Sequence, residues 1–231
     1  MKKLLTTLAL ACIASGAFAN EVYFDTISTK KASRVHGSYI GVFGGGAHSQ
    51  TANFRESLSG AKLQDDDGWL AGIEFGYEFE ILPVLTAFTE AEFTFMSTPL
   101  DGVASGIEYR SDFRSVNAIF NFGVQLDLDD ERHDVGDFWS NFKPFAGVGV
   151  GGAWTRSSNR KGFVDDRPVI GGDNDNDLAW AYQVFAGVEY AFSDYVSIYG
   201  EWRRMIIGDI GDGLIDDPEF DLWAIGMKFK Y

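Results

Sequence analysis

The sequence predicts an all-β chain folded as an eight-stranded antiparallel up-and-down barrel that crosses a membrane. Three observations predict it. Period-two alternation of apolar and polar residues recurs eight times along the 231 residues, as expected of strands with two unlike faces. The connections alternate between long polar segments and mostly short turns, the pattern of strands running up and down through a bilayer. The 27 glycines, 20 phenylalanines, 9 tyrosines and 6 tryptophans favour strands and turns over helices. After Ala19 no apolar run approaches the roughly 20 residues that a spanning helix requires.

Taken in order, residues 1–19 (MKKLLTTLALACIASGAFA) open with Lys2 and Lys3, continue in an apolar run from Leu4, and close on Ala17-Phe18-Ala19. That is the small-x-small pattern of a secretory signal cleaved after Ala19. Cys12 raises the alternative of a lipoprotein signal. Against it, Ala9 stands where such a signal wants leucine, and the apolar run would be cut short. Cleavage removes the single cysteine and two lysines, moving the formal charge from −15 to −17. A thiol-free remainder suits passage through an oxidising compartment without disulfides. Its acidity disfavours a nucleic-acid partner, because phosphate binding needs concentrated Lys and Arg. Residues 20–37 are expected to be a short periplasmic lead-in, and residues 38–231 the barrel.

The candidate strands are Ser38–Ala47, Gly68–Glu80, Val84–Met96, Arg114–Leu126, Phe142–Thr155, Leu178–Phe192, Tyr195–Ile207 and Glu219–Tyr231. Several run to about 13 residues, against five or six for an ordinary soluble strand. Tight turns are expected at Glu80–Pro83 and Ser193-Asp194. Long polar loops are expected over 50–67, 97–113, 156–177 and 208–218. The segment LDDERHDVGDFWSN, residues 128–141, is an exception, being long on the side where the others are short.

Alternation sorts each strand into two faces. In Gly68–Glu80 one parity carries Trp69, Ala71, Ile73, Phe75, Tyr77 and Phe79, and the other Leu70, Gly72, Glu74, Gly76 and Glu78. The first set calls for an apolar surrounding. With short turns toward the periplasm, Trp69, Trp154, Trp180 and Trp223 all fall on the apolar parity at the loop end, and Trp202 shares that parity. These five are expected to form one interfacial belt, as amphipathic indoles do at a membrane boundary. Phe79, Phe192, Phe229 and Tyr231 would supply the opposite belt.

The inner parity carries Glu74, Glu78, Glu90, Glu92, Glu189 and Glu201 with Lys143, Arg203, Lys228 and Lys230. So many ionised groups are too costly for a dry sandwich core unless paired, and they suit the small polar interior of a barrel. Two readings follow. One is a closed salt-bridge plug in which Arg203 meets Glu201, Glu189 and Glu90. The other is a narrow cation-favouring passage. Eight strands leave an interior just wide enough for side chains to fill, which favours the plug.

The stretches FKPFAGVGVGGAW from Phe142, AYQVFAGVEYAFSDYVSIYGEWRR from Ala181 and WAIGMKFKY from Trp223 resemble the small outer membrane β-barrels of Gram-negative bacteria, the opacity-protein-like or porin-family surface antigens. The likeness covers roughly the C-terminal two fifths best, and HGSYIGVFGGG from His36 matches the usual first strand in part. It implies a bacterial outer membrane location, four extracellular loops, and contact with outer membrane lipid and lipopolysaccharide. It also implies roles in envelope integrity, adhesion or immune recognition, with host surface molecules as candidate partners. The family's last strand ends in Phe and is read by the barrel-insertion machinery, so the resemblance makes Phe229 and Tyr231 the insertion signal. Tyr at the final position is a mild departure.

Other chemistry is thinly supported. Gly171–Asp177 (GGDNDND) sets oxygens at alternate positions, as hard cations require, but lacks the bidentate Glu of a calcium loop. The acidic loops are read as solvated surface, with divalent bridging to lipopolysaccharide as the sharper alternative. His36, His48 and His133 show no ligand spacing. His36 with Ser38 and His48 with Ser49 are close His/Ser pairs without an acidic partner in spacing. Gly44-Gly45-Gly46 and Gly147, Gly149 and Gly151 lack the Lys and Ser/Thr of a phosphate loop, and are expected to make room for larger neighbours across the lumen. No enzyme activity, metal or cofactor is expected. The functional expectation is a structural or surface-interaction protein, with a small porin as the alternative.

Overall fold

The computed structural model describes residues 37–50, 53–54, 62–64, 67–82, 84–104, 107–127, 141–164, 167–171, 175–208, 215–216 and 218–231. The expected signal, nearly all of the lead-in, and residues 128–140 lie outside them. Eight long strands form the wall: β1 (Ser38–Ser49), β2 (Asp67–Leu82), β3 (Leu85–Ala104), β4 (Ile107–Leu126), β5 (Phe142–Val164), β6 (Asp175–Ala191), β7 (Val196–Ile207) and β8 (Glu219–Lys230). Each pairs antiparallel with its neighbours in sequence, and β8 pairs with β1 from Tyr39↔Lys230 to Ser49↔Phe220, closing the barrel.

The pairing register fixes the tilt. From Met96 on β3, successive partners run through Leu70, Gly45, Ala224, Glu201, Gly187, Phe145 and Gln125 to Thr86. The circuit returns to β3 ten residues lower, at 86 instead of 96. With eight strands this stagger tilts the strands by roughly 40° from the barrel axis. Rows of hydrogen-bonded partners therefore slant down the wall.

At one end of the barrel two connections are tight turns. Leu82 pairs with Leu85 across the β2–β3 turn. The β6–β7 turn is held by Phe192 N–H and Ser193 N–H donating to the Val196 carbonyl at 3.0 and 3.2 Å, and by the Ser193 hydroxyl accepting from Tyr195 and Val196 N–H. Ser in such a turn satisfies backbone donors that no strand can reach.

At the loop end the strands outrun the expectation. Over 97–113 the sequence reads as a polar loop, yet β3 and β4 stay paired out to Ala104↔Ile107, and β5 reaches Val164. Beyond the apolar zone the outward face has no reason to be greasy, so the alternation that marks a strand fades while the ladder continues. Lys62–Gln64 pairs with Asp101–Val103, Asn53–Phe54 with Ile215–Asp216, and Arg167–Gly171 with Lys161–Val164.

The barrel is inside out relative to a soluble protein. Phe75, Phe93, Phe122, Val150, Val184 and Ile225 are exposed, Ile225 by 74%, whereas Glu74, Glu92 and Glu189 are 1% exposed or less. Contiguous apolar surface of this extent marks a wall that faces lipid.

Candidate functional site

The lumen is built on a pairing of rings with glycines. Phe43, Tyr39, Phe88, Phe185, Phe145 and Tyr199 lie directly opposite Gly72, Gly76, Gly123, Gly147, Gly187 and Gly226 on the adjacent strand. A Cβ at any of these glycines would come within 2.1–2.5 Å of a ring carbon. Of the glycines expected to make room for larger neighbours across the lumen, Gly147 makes room for the Phe185 ring and Gly149 for the Asn121 side chain, each on a neighbouring strand, Gly45 and Gly151 lie against the backbone of a neighbouring strand, and a Cβ on Gly46 would meet nothing.

Around these rings the charged residues form two linked groups. Arg203 donates from Nη1 to Glu92, and from Nε and Nη2 to Glu201, the Nε bond at 2.8 Å. Its guanidinium carbon lies 4.5 Å from the centre of the Phe43 ring. Glu92 also accepts from Thr94, from Asn121 at 2.8 Å and from Gln183 at 3.1 Å. Glu90 accepts from the Tyr39 hydroxyl and from Asn121, both at 2.7 Å. The expected contacts of Arg203 with Glu189 and Glu90 are replaced by Glu92, because the stagger brings β3 residue 92 level with β7 residue 203.

Nearer the turn end, Lys228 Nζ lies 3.6 Å from Glu189 and 3.9 Å from Glu74, inside a box of four rings, Tyr39, Tyr199, Phe88 and Phe145, at 4.7–5.4 Å. Tyr199 donates to Glu74 at 2.9 Å. Lys230 bridges Glu78 at 2.8 Å and Glu189 at 3.2 Å, and Gln125 donates to Glu189 at 3.1 Å. Lys143, the cross-strand partner of Glu189, lies 3.7 Å from Asp127. Sequence reasoning missed Tyr39 and Tyr199. Their signal was present, since an inward Tyr among glutamates is a donor among acceptors.

The loop half of the lumen corrects the expectation of a polar interior. Leu70, Met96, Phe113, Met205, Ile207, Phe220 and Leu222 are each 2% exposed or less, with Phe113 and Phe220 stacked at 5.4 Å. These apolar residues share the inner parity with the charges, and the charges alone do not reveal them. Asn117 and Ser115, fully buried among them, have no hydrogen-bond partner for their side chains among the described residues. The lumen is thus filled twice over, by apolar packing toward the loops and by charge pairing toward the turns.

On the outer wall, Trp69, Trp154, Trp180 and Trp223 are 53–77% exposed and Trp202 is half-buried. They do not form the single level belt expected. Ser97, Trp69, Gly46, Trp223 and Trp202 lie on one slanting row of partners that ends at Ala87, so Trp223 and Trp202, paired with each other, sit lower. Above them the outward face turns polar. Arg204 donates to Glu219 and to Gln50 at 3.2 Å, and Gln50 donates to Asp221. At the turn end Phe79, Phe192, Phe229 and Tyr231 are all exposed on the outer face.

His48 and Ser49 are on opposite sides of the wall. His48 faces out, its Nδ1 3.1 Å from Asp67, while Ser49 is buried inside. His36, His133 and residues 172–174 of the GGDNDND stretch lie outside the described residues. Among the described residues no group of three His, Cys, Asp or Glu is placed to hold a metal ion, and no helix is long and apolar enough to cross a membrane, which says nothing of strands.

Residues 5–230 match the family described as the outer membrane protein beta-barrel domain. No curated protein sequence matches the chain. Among solved structures, Neisserial surface protein A aligns over 87% of this chain and 100% of its own at 17% identity, with a TM-score of 0.49. Ail, the attachment invasion locus protein of Yersinia pestis, aligns over 85% of this chain and 100% of its own at 14% identity and a TM-score of 0.44.

Proposed function

Because the chain belongs to the outer membrane protein β-barrel domain family and so resides in the bacterial outer membrane, we propose that it acts through its surface, as a structural or surface-interaction protein, and neither conducts through its lumen nor catalyses a reaction. The observation that carries this reading is the doubly filled lumen. Ions entering from the turns meet Lys228 and Arg203 already paired, and beyond them a layer of Leu70, Met96, Met205, Phe220 and Leu222 with almost no accessible surface. Opening a path would mean separating buried ion pairs, at a cost of several kcal/mol each, and also disrupting close apolar packing.

The surface left for work is the loop end, which faces out of the cell in this reading. There the ladders joining 62–64 to 101–103 and 53–54 to 215–216 tie segments from different loops together. Host surface molecules and lipopolysaccharide are the partners proposed for it, and the insertion machinery is the partner proposed for Phe229 and Tyr231. The six lumen glutamates keep a small cation-selective porin as the second reading. Purified, refolded protein in planar bilayers separates the two. We expect little steady conductance, and stable ion-selective channels abolished by Glu90→Gln or Arg203→Met would overturn the proposal.

A further inference from the structure

Asn117 is a polar side chain of the lumen that the charge network leaves out. It stands on the inner face of β4, 0% exposed, and neither its Nδ2 nor its Oδ1 has a hydrogen-bond partner among the described residues. Ser115, two residues along the same face and 1% exposed, is in the same position through its Oγ. Burying such groups forfeits their bonds to water and returns nothing. The neighbours that could serve them are committed elsewhere. In the ladder Asn117 lies opposite Thr94 and Ala153, and Ser115 opposite Met96 and Thr155. Thr94 donates its hydroxyl proton to Glu92, and Thr155 donates its own to the Asp177 carbonyl at 3.5 Å. The side chains of Met96 and Ala153 have no proton to give. Packing alone would be served better by leucine, as at Leu70 and Leu222 in the same layer.

We propose that Asn117, with Ser115 beside it, is a binding site for internal water within the otherwise apolar loop half of the lumen. The chemistry of the amide selects the ligand. Asn117 offers one unpaired acceptor and one unpaired donor group. A cation would satisfy Oδ1 and leave Nδ2 bare, an anion the reverse, and either would bring an unpaired charge into an apolar layer. Water both donates and accepts, carries no charge, and is the usual partner of buried polar groups that the chain leaves unsatisfied. Alternate residues of a strand stand about 7 Å apart at their Cα atoms, too far for Asn117 and Ser115 to bond directly but within reach of one or two bridging waters. The surroundings suit a small ligand. Gly151 and Ala153 on β5, with Ala179 and Ala181 on β6, put short side chains beside Asn117, whereas β2, β7 and β8 fill the rest of the layer with Leu70, Met205, Phe220 and Leu222.

The test uses the full chain in detergent micelles with asparagine side chains labelled with nitrogen-15, and reads magnetisation transfer from water to the Asn117 amide protons by NMR. Asn117→Leu identifies the resonance by its loss. Laboratory-frame and rotating-frame measurements are paired, because through-space transfer and direct proton exchange differ in sign between them. We expect through-space transfer from a resident water in the wild type. Transfer that is absent, or that proceeds by exchange alone, overturns the proposal. Asn117 holds water by two bonds of its own, so the transfer should survive Ser115→Ala. Its loss there would assign the signal to relay through the Ser115 hydroxyl and overturn the site. If the variants do not fold, a crystal structure of the wild type decides. Ordered water within hydrogen-bond distance of both Asn117 Oδ1 and Nδ2 supports the proposal, and an amide packed only against apolar atoms, at a resolution that shows ordered water elsewhere, overturns it.

Discussion

Arg203 shows what the lumen asks of a single side chain. It is the largest fully buried residue, 1% exposed, and it satisfies two glutamates that nothing else of positive charge reaches by hydrogen bond among the described residues. Removing it leaves Glu92 and Glu201 as uncompensated buried charge, a change that typically costs about 3–5 kcal/mol. Arg203→Met should lower unfolding stability in urea by that order, and combining it with Glu92→Gln and Glu201→Gln should restore most of the loss. A single variant as stable as the wild type would show that the cluster is not coupled. That Arg203 points inward was legible from parity, since period two leaves two choices of face. Its partner Glu201, two residues along the same face, was legible too, but Glu92 was not, because which residues stand level across a barrel depends on the stagger of ten, a property of all eight registers together. The same ignorance of stagger made five tryptophans look like one level belt.

Among the elements, β3 and β4 both outrun their expected lengths. Each has 20 residues, and their ladder from Thr98↔Phe113 to Ala104↔Ile107 stands beyond the Trp69↔Ser97 pair that marks the apolar boundary. Sequence reading stopped both strands at that boundary because hydropathy, its main signal, ends there, whereas backbone pairing needs no greasy face. Amide hydrogen exchange should therefore find slow exchange within 100–104 and 107–112, comparable to residues inside the membrane. Exchange as fast as in an unpaired loop would mean that the hairpin is not formed. The short strand Arg167–Gly171 closes one side of the β5 extension and carries Pro168 and Arg167. Proline and charge are what discourages an exposed edge from recruiting another strand.

For the whole molecule, closure makes stability collective, because each wall strand is held on both sides and the lumen network ties β3 to β7 and β2 to β8 across the interior. Such a barrel should resist dodecyl sulfate until heated, so that unboiled and boiled samples migrate differently on a gel. Identical migration would count against a closed wall. Closure also sets an order of events. The β2–β3 ladder joins neighbours across a tight turn, but the β1–β8 seam must bring Tyr39 to Lys230. Loop entropy rises only by about 0.6 kcal/mol for each doubling of span, so the seam is slow to form without being forbidden, and it forms last. Until it does, β1 and β8 each present a bare row of N–H and C=O groups as able to pair with a stranger as with each other. The final step of folding is thus also the moment of greatest exposure to aggregation.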